Sequence, residues 1–160
     1  MRRRFSLILL FILLSCKGNK AEDSIYLIPE GYEGRVFIIY GSEKFGNVKY
    51  ENGKRLYKIP PSGILKTSFE PNLGKSKLFE FYSYDLDNDS NRNRLKYSFS
   101  IKNSTTKNTD SLIVSGMELG RYKGFSFKMF HVRNISNTSE INKKPFFVAD
   151  SLEKILFEKK

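Results

Sequence analysis

Residues 24–41, SIYLIPEGYEGRVFIIYG, decide how this chain folds. They hold two apolar runs, SIYLIP and GRVFIIYG, rich in the β-branched and aromatic residues that suit a pleated surface. Glu30, Gly31, Tyr32 and Glu33 separate the runs, with Gly34 beyond. Pro29 fixes φ and stops the first run. Gly31 and Gly34 permit positive φ where the chain reverses. The pattern predicts two strands joined as an opening hairpin, with Tyr32 folding back over the core.

The same reading extends along the chain. Asn52-Gly53 is a type I′ turn signal before RLYKI, and that run ends at Pro60-Pro61, which cannot donate to a ladder. GILKTSF follows. KLFEFYSY sets Leu78, Glu80 and Tyr82 against Phe79 and Phe81. LKYSFSI alternates Leu95, Tyr97, Phe99 and Ile101 with Lys96, Ser98 and Ser100, the period of a half-buried strand. SLIVSG and GFSFKMFHV complete the set, the latter setting Phe125, Phe127 and Met129 against Ser126, Lys128 and Phe130. About eight short strands joined by polar turns point to an all-β fold, an antiparallel β-sandwich, and away from βαβ units. Nine Tyr and 14 Phe with no Trp must supply most of its core. One short C-terminal helix is expected. Asp150 and Ser151 can cap it, Glu153 completes a capping box, and Leu152, Ile155 and Leu156 form one apolar stripe.

Upstream of the β pattern lies MRRRFSLILLFILLSC. Residues 5–14 are apolar except for Ser6. A membrane-spanning helix needs about 20 apolar residues, so this run is too short to span. A basic start and a short greasy run make a secretory signal peptide. Leu13-Leu14-Ser15-Cys16 resembles the bacterial lipobox, which implies lipidation of Cys16 and removal of residues 1–15. Cys16 is the sole cysteine, so no disulfide forms within the chain, and a thioether to lipid would remove an exposed thiol. The expected organisation is a signal peptide over 1–15, a lipidated tether over 16–23 and a single β-rich domain over 24–160.

Loss of Arg2, Arg3 and Arg4 leaves 25 Lys and Arg against 17 acids, a mature charge of +8. Such a charge favours anionic partners: lipid head groups, lipopolysaccharide or acidic glycans. Secretion sets nucleic acid aside. The tightest basic groups are Lys54-Arg55 with Lys58, Arg92 with Arg94 and Lys96, and Lys143-Lys144. None is long enough to read as a binding tail.

Candidate chemistry is sparse. Asp85, Asp87 and Asp89 fall at positions one, three and five of a calcium loop, but Ser90 and Lys96 stand where an EF-hand requires Gly and Glu. A weak Ca²⁺ site and an Asp/Asn-rich turn both fit. His131 is the sole histidine, and with no free Cys beside it a zinc site would need several carboxylates. No nucleophile elbow or phosphate loop is present. Glu80 with Asp85 is a formal glycosidase-type carboxylate pair that nothing singles out. Asp23-Ser24-Ile25, Asp110-Ser111-Leu112 and Asp150-Ser151-Leu152 each resemble the Asp-Ser-aliphatic O-glycosylation sequon of Bacteroidota.

Ile28 to Gly34, Arg55 to Pro60, Gly63 to Thr67 and Phe146 to Val148 resemble an uncharacterised family of small Bacteroidota lipoproteins. In that family an Ile-Pro-x-Gly-Tyr-x-Gly turn opens the domain. The resemblance implies no enzyme, cofactor or substrate. The opening segment is also similar to transthyretin-like and immunoglobulin-like sandwiches, as a fold analogy. Together these features lead us to expect a lipid-anchored protein of the cell envelope, at the outer membrane and facing either the periplasm or the surface. Its expected role is a non-catalytic binding or accessory module, held to the membrane through lipid on Cys16. The alternatives are a carboxylate-dependent enzyme acting on surface glycans and an envelope immunity or inhibitor protein.

Overall fold

The computed structural model describes residues 20–41, 45–46, 48–74, 78–88, 90–98, 112–134 and 153. Ten strands run through them: β1 (Ser24–Pro29), β2 (Gly34–Ile39), β3 (Tyr50–Glu51), β4 (Lys54–Lys58), β5 (Ile64–Lys66), β6 (Phe79–Tyr84), β7 (Arg92–Arg94), β8 (Lys96–Ser98), β9 (Leu112–Tyr122) and β10 (Phe125–Asn134). They form two five-stranded sheets, in the orders β3-β4-β1-β6-β7 and β5-β2-β10-β9-β8. The all-β class therefore holds. The predicted C-terminal helix lies outside the described residues apart from Glu153, which is helical.

The pairing departs from a purely antiparallel sandwich. β1 pairs in parallel with both β4 and β6, and β2–β5 and β8–β9 are also parallel. The cause is the route of the chain. Residues 30–33 do not close a hairpin but carry the chain from β1 in the first sheet to β2 in the second. The chain returns to β3 and β4, crosses to β5, and returns to β6. Parallel neighbours require a long crossover, usually a helix. Between β1 and β4, and between β4 and β6, the chain instead passes through a strand of the opposite sheet, so β1, β4 and β6 all start at the same end of the molecule.

The turns follow their residues. Asn52 and Gly53 adopt φ of 51° and 73° between the paired residues Glu51 and Lys54, as the two-residue I′ turn requires. Pro60-Pro61 lie just beyond β4, and Pro60 O accepts the Gly63 N–H. In β9 an extra residue opposite Phe130 makes a bulge at Gly116, whose φ is +64°.

The core lies between the sheets. Tyr26, Ile28, Tyr57, Ile59 and Phe81 from the first sheet meet Val36, Ile38, Tyr40, Val114, Phe130 and Val132 from the second. β1 is buried along its whole length. On its outer face Ile25 and Leu27 pack with Tyr84, Leu56 and Tyr82. An Arg92–Glu51 ion pair of 2.7 Å links the two edge strands β7 and β3. Four strand spacings of about 4.8 Å separate those edges in a flat sheet, so the pair requires the sheet to curl over that face.

Tyr32 does fold back. It packs against the core and its hydroxyl donates to Arg35 O. Gly63, at φ +73°, lies beneath the ring, and a Cβ there would overlap Tyr32 Oη and crowd Arg35 O. Gly63→Ala should therefore lower stability by about 2–4 kcal/mol, from left-handed strain and overpacking together. Tyr32→Phe in the same background should recover part of the loss, since it removes the overlapping oxygen. Urea denaturation of the three variants checks this.

Candidate functional site

The inner face of the first sheet carries an in-register aromatic row. Tyr26 pairs with Tyr57 on β4 and with Phe81 on β6. The rings stack at 5.0 and 4.9 Å between centroids. Tyr97 of β8 extends the row, stacked on Phe81 at 5.5 Å. Parallel strands place identical register positions side by side, so three aromatics at matched positions become a continuous stack.

At the end of this row the chain changes sheets. β7 belongs to the first sheet and β8 to the second, so Arg94-Leu95-Lys96 spans the edge of the sandwich. Beneath it opens a cleft of about 450 Å³ lined by Phe79, Phe81, Arg94, Leu95, Lys96 and Tyr97. Its floor is aromatic. Its rim is two exposed cations, Arg94 and Lys96. Flat apolar rings beneath fixed positive charge suit a ligand with one planar or apolar face and an anionic group.

A third cation lies behind the floor. Lys128 alternates with Phe127 and Met129 along its strand, and it is 5% exposed. It points between the sheets because Lys128, Phe130 and Val132 form the inward set of β10, while the opposite set, Phe127, Met129 and Arg133, is buried as well. Its Nζ donates to Tyr26 Oη at 2.8 Å and lies 5.0 Å from the Phe79 ring centre. Burial, with Arg55 nearby as a second cause, pulls its pKa down to about 8. Burial pushes the Tyr26, Tyr40 and Tyr57 hydroxyls well above the usual phenol range.

The sequence candidates fare differently. Asp85 Oδ1 accepts the Asp87 N–H at 2.9 Å, and Asn88 Oδ1 accepts the Ser90 N–H at 3.1 Å. These are the local bonds of an Asx-rich turn. Asp89 lies outside the described residues, and among the described residues no three His, Cys, Asp or Glu side chains gather as metal ligands do. Glu80 and Asp85 do not form a pair across a cleft. They are five residues apart on and beyond one strand, about 16 Å. Glu80 also accepts from Lys54 at 2.7 Å and Tyr82 at 3.3 Å, and the Lys54 bond holds its pKa low. His131 is half-buried, and burial with the Arg35 and Arg133 charges lowers its pKa. Ser24 is fully buried and accepts from Asn72 Nδ2, which leaves no room for a glycan. Ser111, Ser151 and Cys16 lie outside the described residues. The cleft itself was not found from sequence. Arg92, Arg94 and Lys96 stood out only as a basic group, and nothing local shows that Leu95 is where the chain changes sheets.

The fold defines a two-sheet β-sandwich of mixed pairing. A model of a family of unknown function, DUF6843, matches residues 20–141, and the chain belongs to that family. No curated protein matches it. A crystal structure of a proposed lipoprotein from Bacillus anthracis shares the fold, with a TM-score of 0.58 and 16% identity over 86% of this chain and 92% of that one.

Lys128 makes stability depend on pH. Unfolding returns its pKa from about 8 to 10.5, so between those values the unfolded state binds more protons and stability rises with pH. Above about pH 10 the buried tyrosines reverse the trend, because they ionise more readily when unfolded. Urea midpoints should rise by the equivalent of about 2–3 kcal/mol from pH 8 toward 10. Lys128→Met should abolish that rise.

Proposed function

We propose that this chain is a lipid-anchored envelope protein that binds an acidic glycan in the cleft of Phe79, Phe81, Arg94, Leu95, Lys96 and Tyr97. The observation that carries the reading is the pairing of an aromatic floor with a cationic rim. A sugar ring would lie against Tyr97 and Phe79, the two part-exposed rings of the lining, and its carboxylate or phosphate would meet Arg94 and Lys96. Lys128, behind Phe79, adds positive potential to the floor without touching the ligand. The lipobox, the mature charge of +8 and the likeness to a proposed lipoprotein support placement at an envelope surface. No nucleophile–base set contributes to this role. It is one of binding and presentation, not of turnover.

Calorimetry of the mature chain against acidic and neutral envelope polysaccharides of equal length tests it. The acidic polymer should bind, with an affinity that falls as salt rises. Arg94→Ala with Lys96→Ala should weaken binding about 10–100-fold, the scale of two charge-assisted contacts. Equal binding of the neutral polymer, or no loss in the double variant, would contradict the reading.

A further inference from the structure

The site where the tether enters is also where apolar side chains are exposed. Glu22 and Asp23, read from sequence as the end of the tether, are built into the domain. Glu22 N donates to Asn72 Oδ1 at 2.9 Å, Asn72 Nδ2 donates back to Glu22 O at 2.7 Å, and the Glu22 carboxylate pairs with Arg55. Asp23 O accepts the Arg55 N–H at 2.9 Å. These bonds join Glu22 and Asp23 to the domain.

Four of the large apolar side chains that are exposed surround this entry point. Leu73 (60% exposed) follows Asn72. Leu78 (50%) accepts the Ser24 N–H on its carbonyl. Tyr50 (51%) donates its hydroxyl to Glu22. Val48 precedes Lys49, whose carbonyl accepts the Leu56 N–H. Leu86 is as exposed but lies beyond the far end of β6.

We propose that this end of the sandwich rests on the lipid bilayer, with Leu73 and Leu78 entering the head-group layer. The proposal rests on the lipid-anchor reading of Cys16. Six chain steps separate Cys16 from Glu22, a span of at most about 20 Å. Acyl chains keep Cys16 at the interface, and the head-group layer occupies roughly 5–8 Å of that span. The entry end is therefore held within about 15 Å of lipid. A short tether raises the local concentration of membrane, so four exposed apolar side chains suffice where they would not bind from solution. The net charge of +8 favours an anionic bilayer as the surface they meet.

The test uses the mature, membrane-extracted protein in phosphatidylethanolamine/phosphatidylglycerol vesicles. Single cysteines replace Leu73, Leu78 or Leu86 and carry an environment-sensitive fluorophore. Intact mass reports acylation separately. The account expects an acylated protein whose labels at 73 and 78 shift to the blue and are quenched severalfold by shallow spin-labelled lipid, while the label at 86 is unaffected. An acylated protein with all three labels alike, shifted or not, overturns the docking and leaves the anchor intact. An unacylated protein overturns both. Leu73→Ser with Leu78→Ser, in the acylated protein labelled at Tyr50→Cys, should abolish most of the quenching seen at that position. Unchanged quenching there would also count against docking.

Discussion

The sandwich depends on how Lys128 meets Tyr26. A lysine from the second sheet enters the aromatic interior and finds a phenol oxygen at 2.8 Å. Tyr26 is also the centre of the stacked row that joins β4, β1 and β6. One hydroxyl thus ties the aromatic stack of one sheet to the central strand of the other. A buried ammonium with no carboxylate partner is unfavourable in itself. The electron-rich faces of Tyr26 and Phe79, 5.4 and 5.0 Å away, offset part of that cost. Overpacking or emptying this contact disturbs both sheets at once.

The same strand placement sets the ends of the molecule apart. Since β1, β4 and β6 run in parallel, the tether, the Asn52-Gly53 turn and the segment around Asn72 gather at one end. The cleft belongs to the edge formed by β6, β7 and β8. The cleft starts beside that end, because Phe79 in its lining directly follows Leu78.

Much of the fold was legible in the sequence, and the part that was not has a physical reason. Asn52-Gly53, Pro60-Pro61 and Gly31 carry their turn geometry in single residues, so local reading found them. Parallel pairing is set by where a chain goes between strands, which no local pattern states. One signal was present. IYLI and VFII are continuous apolar runs without alternation, the mark of strands buried on both faces. A hairpin with one wet face would alternate. The side of Lys128 was not legible for a related cause: both faces of β10 are buried, so alternation could not separate inside from outside. The cleft brings β6 beside the β7–β8 crossing, which the linear sequence leaves open.

The measurement that bears most directly on this architecture is the pKa of Lys128, read by NMR titration of its side-chain ¹³Cε or ¹⁵Nζ signal in the folded protein. A value near 8, moving independently of the surface lysines, is what a cation enclosed between Tyr26 and Phe79 requires. A value near 10.5, titrating with the rest, would place Lys128 in water and contradict both the packing of the sheets and the charged wall behind the cleft.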